Sequence, residues 1–193
     1  MPETTKTTEQ WFSRYARRWM PTSTRPPRPT AGKILRTAIA AFIGIATIAL
    51  VTRLVHAGKH PDLFLVASFG AMAMLVYVAP QSDFSQPRNV IGGNMLSAAA
   101  GVTMHYLLPN NVILAAASAV AVAAILMQAT RTVNPPAGST ALIPVIGDST
   151  VHHLGYLFVL TPVGLGAAVL VLVAMVVNNL FSDPTHHYPT YWW

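Results

Sequence analysis

Three short runs hold most of the polar chemistry of this chain: Ser68-Phe69-Gly70-Ala71, Arg88-Asn89-x-x-Gly92-Gly93-Asn94 and Asn134-Pro135-Pro136-Ala137-Gly138-Ser139-Thr140. Each mixes hydrogen-bonding side chains with glycine or proline, inside or at the edge of an apolar stretch. A helix that starts at such a place presents free backbone N–H groups and the positive end of its dipole. Proline at a helix start and glycine that lets a ligand approach the backbone suit an anion site. Arg88 and Arg131, at the ends of apolar stretches, either attract an anion or anchor helix ends. Gly92-Gly93 and Gly138 fit close helix–helix packing equally well. The candidate anion contacts are therefore Ser68, Gly70, Arg88, Asn89, Asn94, Arg131, Asn134, Gly138, Ser139 and Thr140.

Other chemistries find less support. The apolar segments contain no Asp or Glu, since Asp62, Asp83, Asp148 and Asp183 all sit at or beyond segment ends. Carriers of cations usually place a carboxylate inside the membrane. There are no cysteines, which removes disulfides, thiolate metal sites and cysteine nucleophiles. His152-His153 and His186-His187 read as loop pairs without a third ligand at metal spacing, and His105 lies near a membrane surface. No Ser/His/Asp arrangement can be assembled. Neither an enzyme nor a cofactor is expected. Asn178-Asn179 either cap a helix or touch solute.

The elements that must position these runs are membrane helices. Of 193 residues, 53% are hydrophobic and 9% charged, against roughly 25% charged in a soluble domain. Six segments are expected, at 33–55, 63–79, 88–108, 112–131, 135–147 and 154–181. A crossing needs roughly 20 helical residues. The first, third, fourth and sixth meet this, the second is marginal and the fifth too short. The order is long, short, long, repeated. Two consecutive units with an odd number of crossings have opposite orientations in the bilayer, so the pattern predicts an all-α polytopic protein of two inverted three-segment repeats. The short, broken second and fifth segments then mark the site. Four spanning helices with two dipping loops lead to nearly the same core.

Charge predicts the orientation. Of the 12 basic residues, eight (Lys6, Arg14, Arg17, Arg18, Arg25, Arg28, Lys33 and Arg36) come before or at the start of the first segment. With the N-terminus cytoplasmic, Arg88 and Arg131 join them inside, and only Arg53 and Lys59 lie outside. This asymmetry explains the +6 net charge better than nucleic-acid binding does. Residues 1–32 are read as a basic, aromatic segment. Within it, 7–20 form an interfacial helix with Trp11, Phe12, Tyr15 and Trp19 on one side, and 21–30 form a proline-rich linker. The first 30 residues lack the apolar core of a cleavable signal peptide. Residues 33–182 form the membrane domain and 183–193 an aromatic tail. The expected setting is the bacterial inner (plasma) membrane, with lipid, a small anion and further copies of the chain as partners.

In combination, several motifs resemble the HPP family of small integral membrane proteins. They are Ser68-Phe69-Gly70-Ala71, Ala79-Pro80, Gln86-Pro87-Arg88-Asn89-Val90-Ile91-Gly92-Gly93, Thr130-Arg131-Thr132, Pro135-Pro136-Ala137-Gly138, Asn178-Asn179 and Tyr188-Pro189-x-Tyr191-Trp192. The resemblance covers about residues 33–193. Plant plastid members are associated with nitrite transport, so it implies passage of a small monovalent anion, nitrite first. The alternative is a structural or accessory subunit of a larger membrane complex. The family's namesake histidine is replaced here by Asn134, and Asn94 stands where relatives carry histidine. Asparagine keeps the hydrogen bonds but cannot titrate.

Overall fold

The computed structural model describes residues 27–55, 67–180 and 187–192. The expected interfacial helix at 7–20 lies outside them. The chain divides into two compact units, 1–33 and 34–193. In the first, residues 27–30 belong to no helix or strand, and the Thr30 hydroxyl accepts the Lys33 N–H at 3.4 Å where a helix starts.

The second unit is helical, with no strand among the described residues. Helices α1 (Ala31–Val55), α2 (Ala67–Val78), α3 (Gly93–Leu107), α4 (Val112–Ala129), α5 (Ala137–Ile146), α6 (Ser149–Leu154) and α7 (Leu165–Asn179) follow in order. A wide π turn, Arg88–Gly92, leads into α3. A broken segment, Val159–Gly164, leads into α7, where Thr161 leaves helical geometry (φ −143°, ψ 119°) next to Pro162. The Thr161–Pro162 peptide bond is cis. Pro162 also lacks an N–H, which interrupts the ladder.

Among the described residues, helices lie within each of the six expected segments, with one correction. Residues 149–154 form the separate helix α6, so His152 and His153 are helical and not in a loop. The reason is local: Asp148 caps the helix, accepting from the N–H groups of Thr150 (3.0 Å) and Val151 (3.1 Å).

Among the described residues, three helices are long and apolar enough to cross a membrane: Ala31–Val51, Val112–Ala129 and Val159–Asn179. The Arg88–Leu107 segment has a similar length but a polar interior, with Asn94 and Ser97 fully buried. It can be polar because α4 and α5 cover it with protein. Large apolar side chains are exposed on the long helices, as at Phe42, Leu54, Ile113, Ile125 and Leu172. Helices α2 and α5 have 12 and 10 residues, about 18 and 15 Å, and neither crosses a 30 Å core alone.

The third segment of each half packs with the other half. One apolar cluster joins α1 and α2 to α7, through Ile48, Phe69, Met72, Val76, Leu170 and Ala174. The other joins α4 and α5 to α3, through Ala115, Ala119, Ala123, Ala137, Ala141 and Ala100. Small side chains at four-residue spacing let these helices approach, the usual basis of packing in lipid. A Cβ on Gly101 would collide with the Ala141 carbonyl oxygen, and one on Gly166 with the Phe69 ring.

The connections sort into two ends. At one, the Arg88 guanidinium donates to the Thr130 carbonyl (2.6 Å), Asn134 Nδ2 to the Phe84 carbonyl (2.8 Å) and the Tyr188 hydroxyl to the Ser85 carbonyl (2.9 Å). At the other, Thr103 Oγ1 bonds Tyr156 OH (2.9 Å), and His105 stacks on His152 with ring centres 4.1 Å apart. Connections 79–87 and 130–136 and the tail thus share one end.

Candidate functional site

The centre of the domain is a closed amide and hydroxyl network on Asn94. Its Nδ2 donates to the Val90 carbonyl (2.7 Å), to Asn134 Oδ1 (3.2 Å) and toward Met72 Sδ (2.9 Å). Its Oδ1 accepts from the Thr140 hydroxyl at 2.6 Å. Asn94, Asn134 and Thr140 are all fully buried. An unsatisfied buried amide costs about 1–3 kcal/mol, so each member requires the others. Both short helices contribute: Met72 stands two residues after Gly70 in α2, and Thr140 two residues after Gly138 in α5.

The flanking glycines show what is packed and what is open. A Cβ on Gly93 would collide with the Thr132 carbonyl oxygen and come within 3.2 Å of Asn134 Cβ, while one on Gly92 would lie 3.3 Å from Thr132 Cγ2. These two serve close approach. A Cβ on Gly70 or Gly138 would meet nothing within 4 Å. No packing contact within this chain accounts for those two. Gly70 is exposed, as are Ser139 and Pro135.

The first turn of α5 differs from the expectation of free donors. The N–H groups of Ala137, Gly138 and Ser139 donate to the carbonyls of Asn134, Pro135 and Pro136 at 2.9, 3.1 and 3.1 Å. The two prolines tighten the turn, and the resulting i to i−3 bonds use the amides that a longer entry would leave free. The Ser139 hydroxyl also donates to the Pro136 carbonyl (2.7 Å). In α2, the Ser68 hydroxyl is buried and has no partner.

The two arginines differ in use. Arg88 is half-buried and holds the Thr130 carbonyl at the end of α4. Arg131 is exposed and adopts φ 56°, the left-handed region. It occupies the position after α4 where glycine is usual: its N–H reaches the Gln128 carbonyl (3.2 Å) and that of Thr132 reaches Met127 (2.8 Å). A side chain there costs about 1–2 kcal/mol relative to a right-handed backbone. Asn89 donates to the Asp83 carbonyl (2.6 Å), and its Oδ1 is buried without a partner.

Of the expected contacts, Asn94, Asn134 and Thr140 are joined directly, and Arg88 bonds the residue before Arg131. Ser68 and Ser139 make no direct bond to that network. Three features escaped the sequence reading: Met72 against Asn94, the Phe84 carbonyl under Asn134, and the tail. Asn179 holds Tyr188 on both sides, accepting its N–H (2.8 Å) and donating to its carbonyl (2.6 Å). Asn178 donates to the Val76 carbonyl (3.3 Å). The signal for the tail was the Tyr188-Pro189-x-Tyr191-Trp192 run, which periodicity alone cannot link to a loop a hundred residues earlier.

The pattern of the family described as HPP, transmembrane region, matches residues 26–189. Two curated transmembrane proteins of Dictyostelium discoideum are similar. One is 36% identical over 193 residues, covering 96% of this chain and 65% of that protein. The other is 33% identical over 187 residues, covering 95% of this chain and 58% of that protein. The chain thus spans less than two thirds of the length of either. No solved structure matches. With its motifs, its six-segment plan and this match along most of its length, the chain belongs to the HPP family of transmembrane proteins.

Proposed function

We propose that this protein carries a small monovalent anion, nitrite first, through the membrane between the starts of α2 and α5. The observation that carries the reading is the meeting of two half-length helices, in corresponding places of the two halves, on one polar centre. Met72 and Thr140 both touch Asn94, beside glycines that leave open space. Paired short helices of this kind mark solute sites in transporters built from inverted repeats. The described membrane helices hold no carboxylate, which suits an anion and a passive path. Arg131, placed where glycine is less costly, supplies exposed positive charge at one mouth. The reading is of a passage and not a catalyst, in a homo-oligomer with a cytoplasmic N-terminus.

Purified protein in liposomes, tested with nitrite, nitrate, formate and chloride, should pass at least nitrite well above protein-free vesicles. Gln10→Cys in an otherwise cysteine-free chain should resist an impermeant thiol reagent applied outside intact cells; ready labelling reverses the orientation. One observation favours the accessory-subunit reading: Asn94, Asn134 and Thr140 bond one another and the Val90 and Phe84 carbonyls, as a structural lock would. Absence of flux for all four anions with folded protein selects that reading.

A further inference from the structure

The tail is held by more hydrogen bonds than an exposed terminus needs. Tyr188 is buried among the apolar residues of α2 and α7, and its hydroxyl donates to the Ser85 carbonyl. Asn179 clamps its backbone from both sides. The Thr190 N–H donates to Gln86 Oε1 (2.8 Å), while Gln86 Nε2 donates to the Pro80 and Ser82 carbonyls (3.0 and 2.9 Å). Gln81 Nε2 donates to the His187 carbonyl (3.0 Å). Every one of these partners, Asn179 apart, lies in the connection 80–86.

That connection leads directly to the proposed site. The Asp83 carbonyl accepts from Asn89, and the Phe84 carbonyl accepts from Asn134, which bonds Asn94. Tyr191 stands over the same place, its hydroxyl 3.5 Å from the Asp83 carbonyl. Its phenol is pushed above the ordinary range by burial first and by Asp83 next, with Arg88 acting the other way. Hydrogen bonds from the tail onto 81–86, the backbone of that connection and the Phe84–Asn134–Asn94 bonds therefore link the tail to the centre, with Arg88 and Asn89 beside the tail's aromatic end.

We propose that residues 187–192 are a latch on the mouth beside Arg88 and Asn89: seated, they hold connection 80–86 against Asn89 and Asn134, and released, they open that mouth to the anion. This rests on the transport reading for what passes, and on the hydrogen bonds alone for what moves. Seating requires Tyr188 in its apolar socket and the Asn179 clamp. Release exposes the Ser85 carbonyl, buried Gln86 and the connection that positions Asn134. A contiguous network permits such coupling; a two-state response establishes it.

The test reads movement and flux separately. Ser85→Cys places a thiol of nearly the same size in a fully buried position under Tyr188. Its labelling by an impermeant reagent should be slow in the full chain and at least tenfold faster after deletion of residues 187–193. A Gln81→Cys/His187→Cys pair, joined by a reducible cross-linker, should lower nitrite flux severalfold in liposomes, with recovery on reduction; the deletion should raise it. Tyr188→Phe, which removes only the bond to Ser85, should lie between and guards against a deletion that misfolds. Equal labelling of full-length, Tyr188→Phe and deleted chains overturns the latch, as does flux indifferent to the cross-link. If no variant passes any anion, the transport reading falls, and the Ser85→Cys rates alone decide whether the tail opens.

Discussion

The two short helices occupy corresponding places and are built from different residues. Helix α2 has no proline, buries the unpaired Ser68 hydroxyl and offers Met72 to Asn94. Helix α5 starts after Pro135-Pro136, carries Pro144 inside, closes its first-turn amides on nearby carbonyls and offers Thr140. One side of the centre is apolar and soft, the other polar and stiff. What they share is an open glycine two residues before the side chain that reaches Asn94. The shared geometry, kept on unlike residues, separates what the centre requires from what each helix merely tolerates.

The largest effect should follow from removing the hub that both helices share. Asn94→Ala leaves the Thr140 hydroxyl and Asn134 Oδ1 without partners, and should destabilise the fold by about 3 kcal/mol, summed over buried polar groups at 1–3 kcal/mol each. Thermal unfolding in detergent measures it. An Asn94→Ala protein as stable as wild type would mean the two helices do not depend on that centre.

Next come the glycines, which sharpen the contrast between packed and open positions. Gly93→Ala and Gly101→Ala force a methyl into backbone and should cost about 1–3 kcal/mol. Gly70→Ala and Gly138→Ala should be neutral or gain about 0.5 kcal/mol, because helix propensity improves and space is free. The same unfolding measurement separates the pairs, and equal costs at all four would contradict the open face.

The arginines split the same way, with a smaller stability effect. Arg131→Gly relieves a left-handed backbone and should gain about 1 kcal/mol while lowering anion flux; Arg131→Lys keeps charge and flux. Arg88→Gln gives up the bond to Thr130 and should lower stability as well as flux. The smallest effect concerns pH at the tail. Burial, and then the neighbouring Tyr77, push the Tyr188 phenol above its ordinary value. A raised value means that the seated state holds its proton longer than the released one. Seating is therefore fully favoured below about pH 10, the free tyrosine value, and weakens as pH rises above it. Ser85→Cys labelling should accelerate above that pH, and Tyr188→Phe should remove the acceleration.

Much of the architecture was legible because lipid imposes length. Segment lengths identified both short helices. Proline and glycine located α5 to within two residues of its start. Glycine in sequence, however, does not say whether a neighbour sits against it, so Gly93 and Gly138 looked alike. The Asp148 cap and helix α6 leave no mark in the sequence pattern, because six residues are too few for periodicity to register. The bond between Asn134 and the Phe84 carbonyl, like the seating of Tyr188, joins residues far apart in the chain, and a single sequence does not reveal such pairs.

The passage itself is tested most directly at the open glycines. The chain has no cysteine, and Gly70 and Gly138 have room for one. Nitrite flux into liposomes should be near wild type for Gly70→Cys and Gly138→Cys, then fall by most of its value when a bulky thiol reagent modifies either. Val120→Cys on exposed α4 should be unaffected by the same reagent. Complete modification at 70 and 138 with flux unchanged would contradict passage between the starts of α2 and α5.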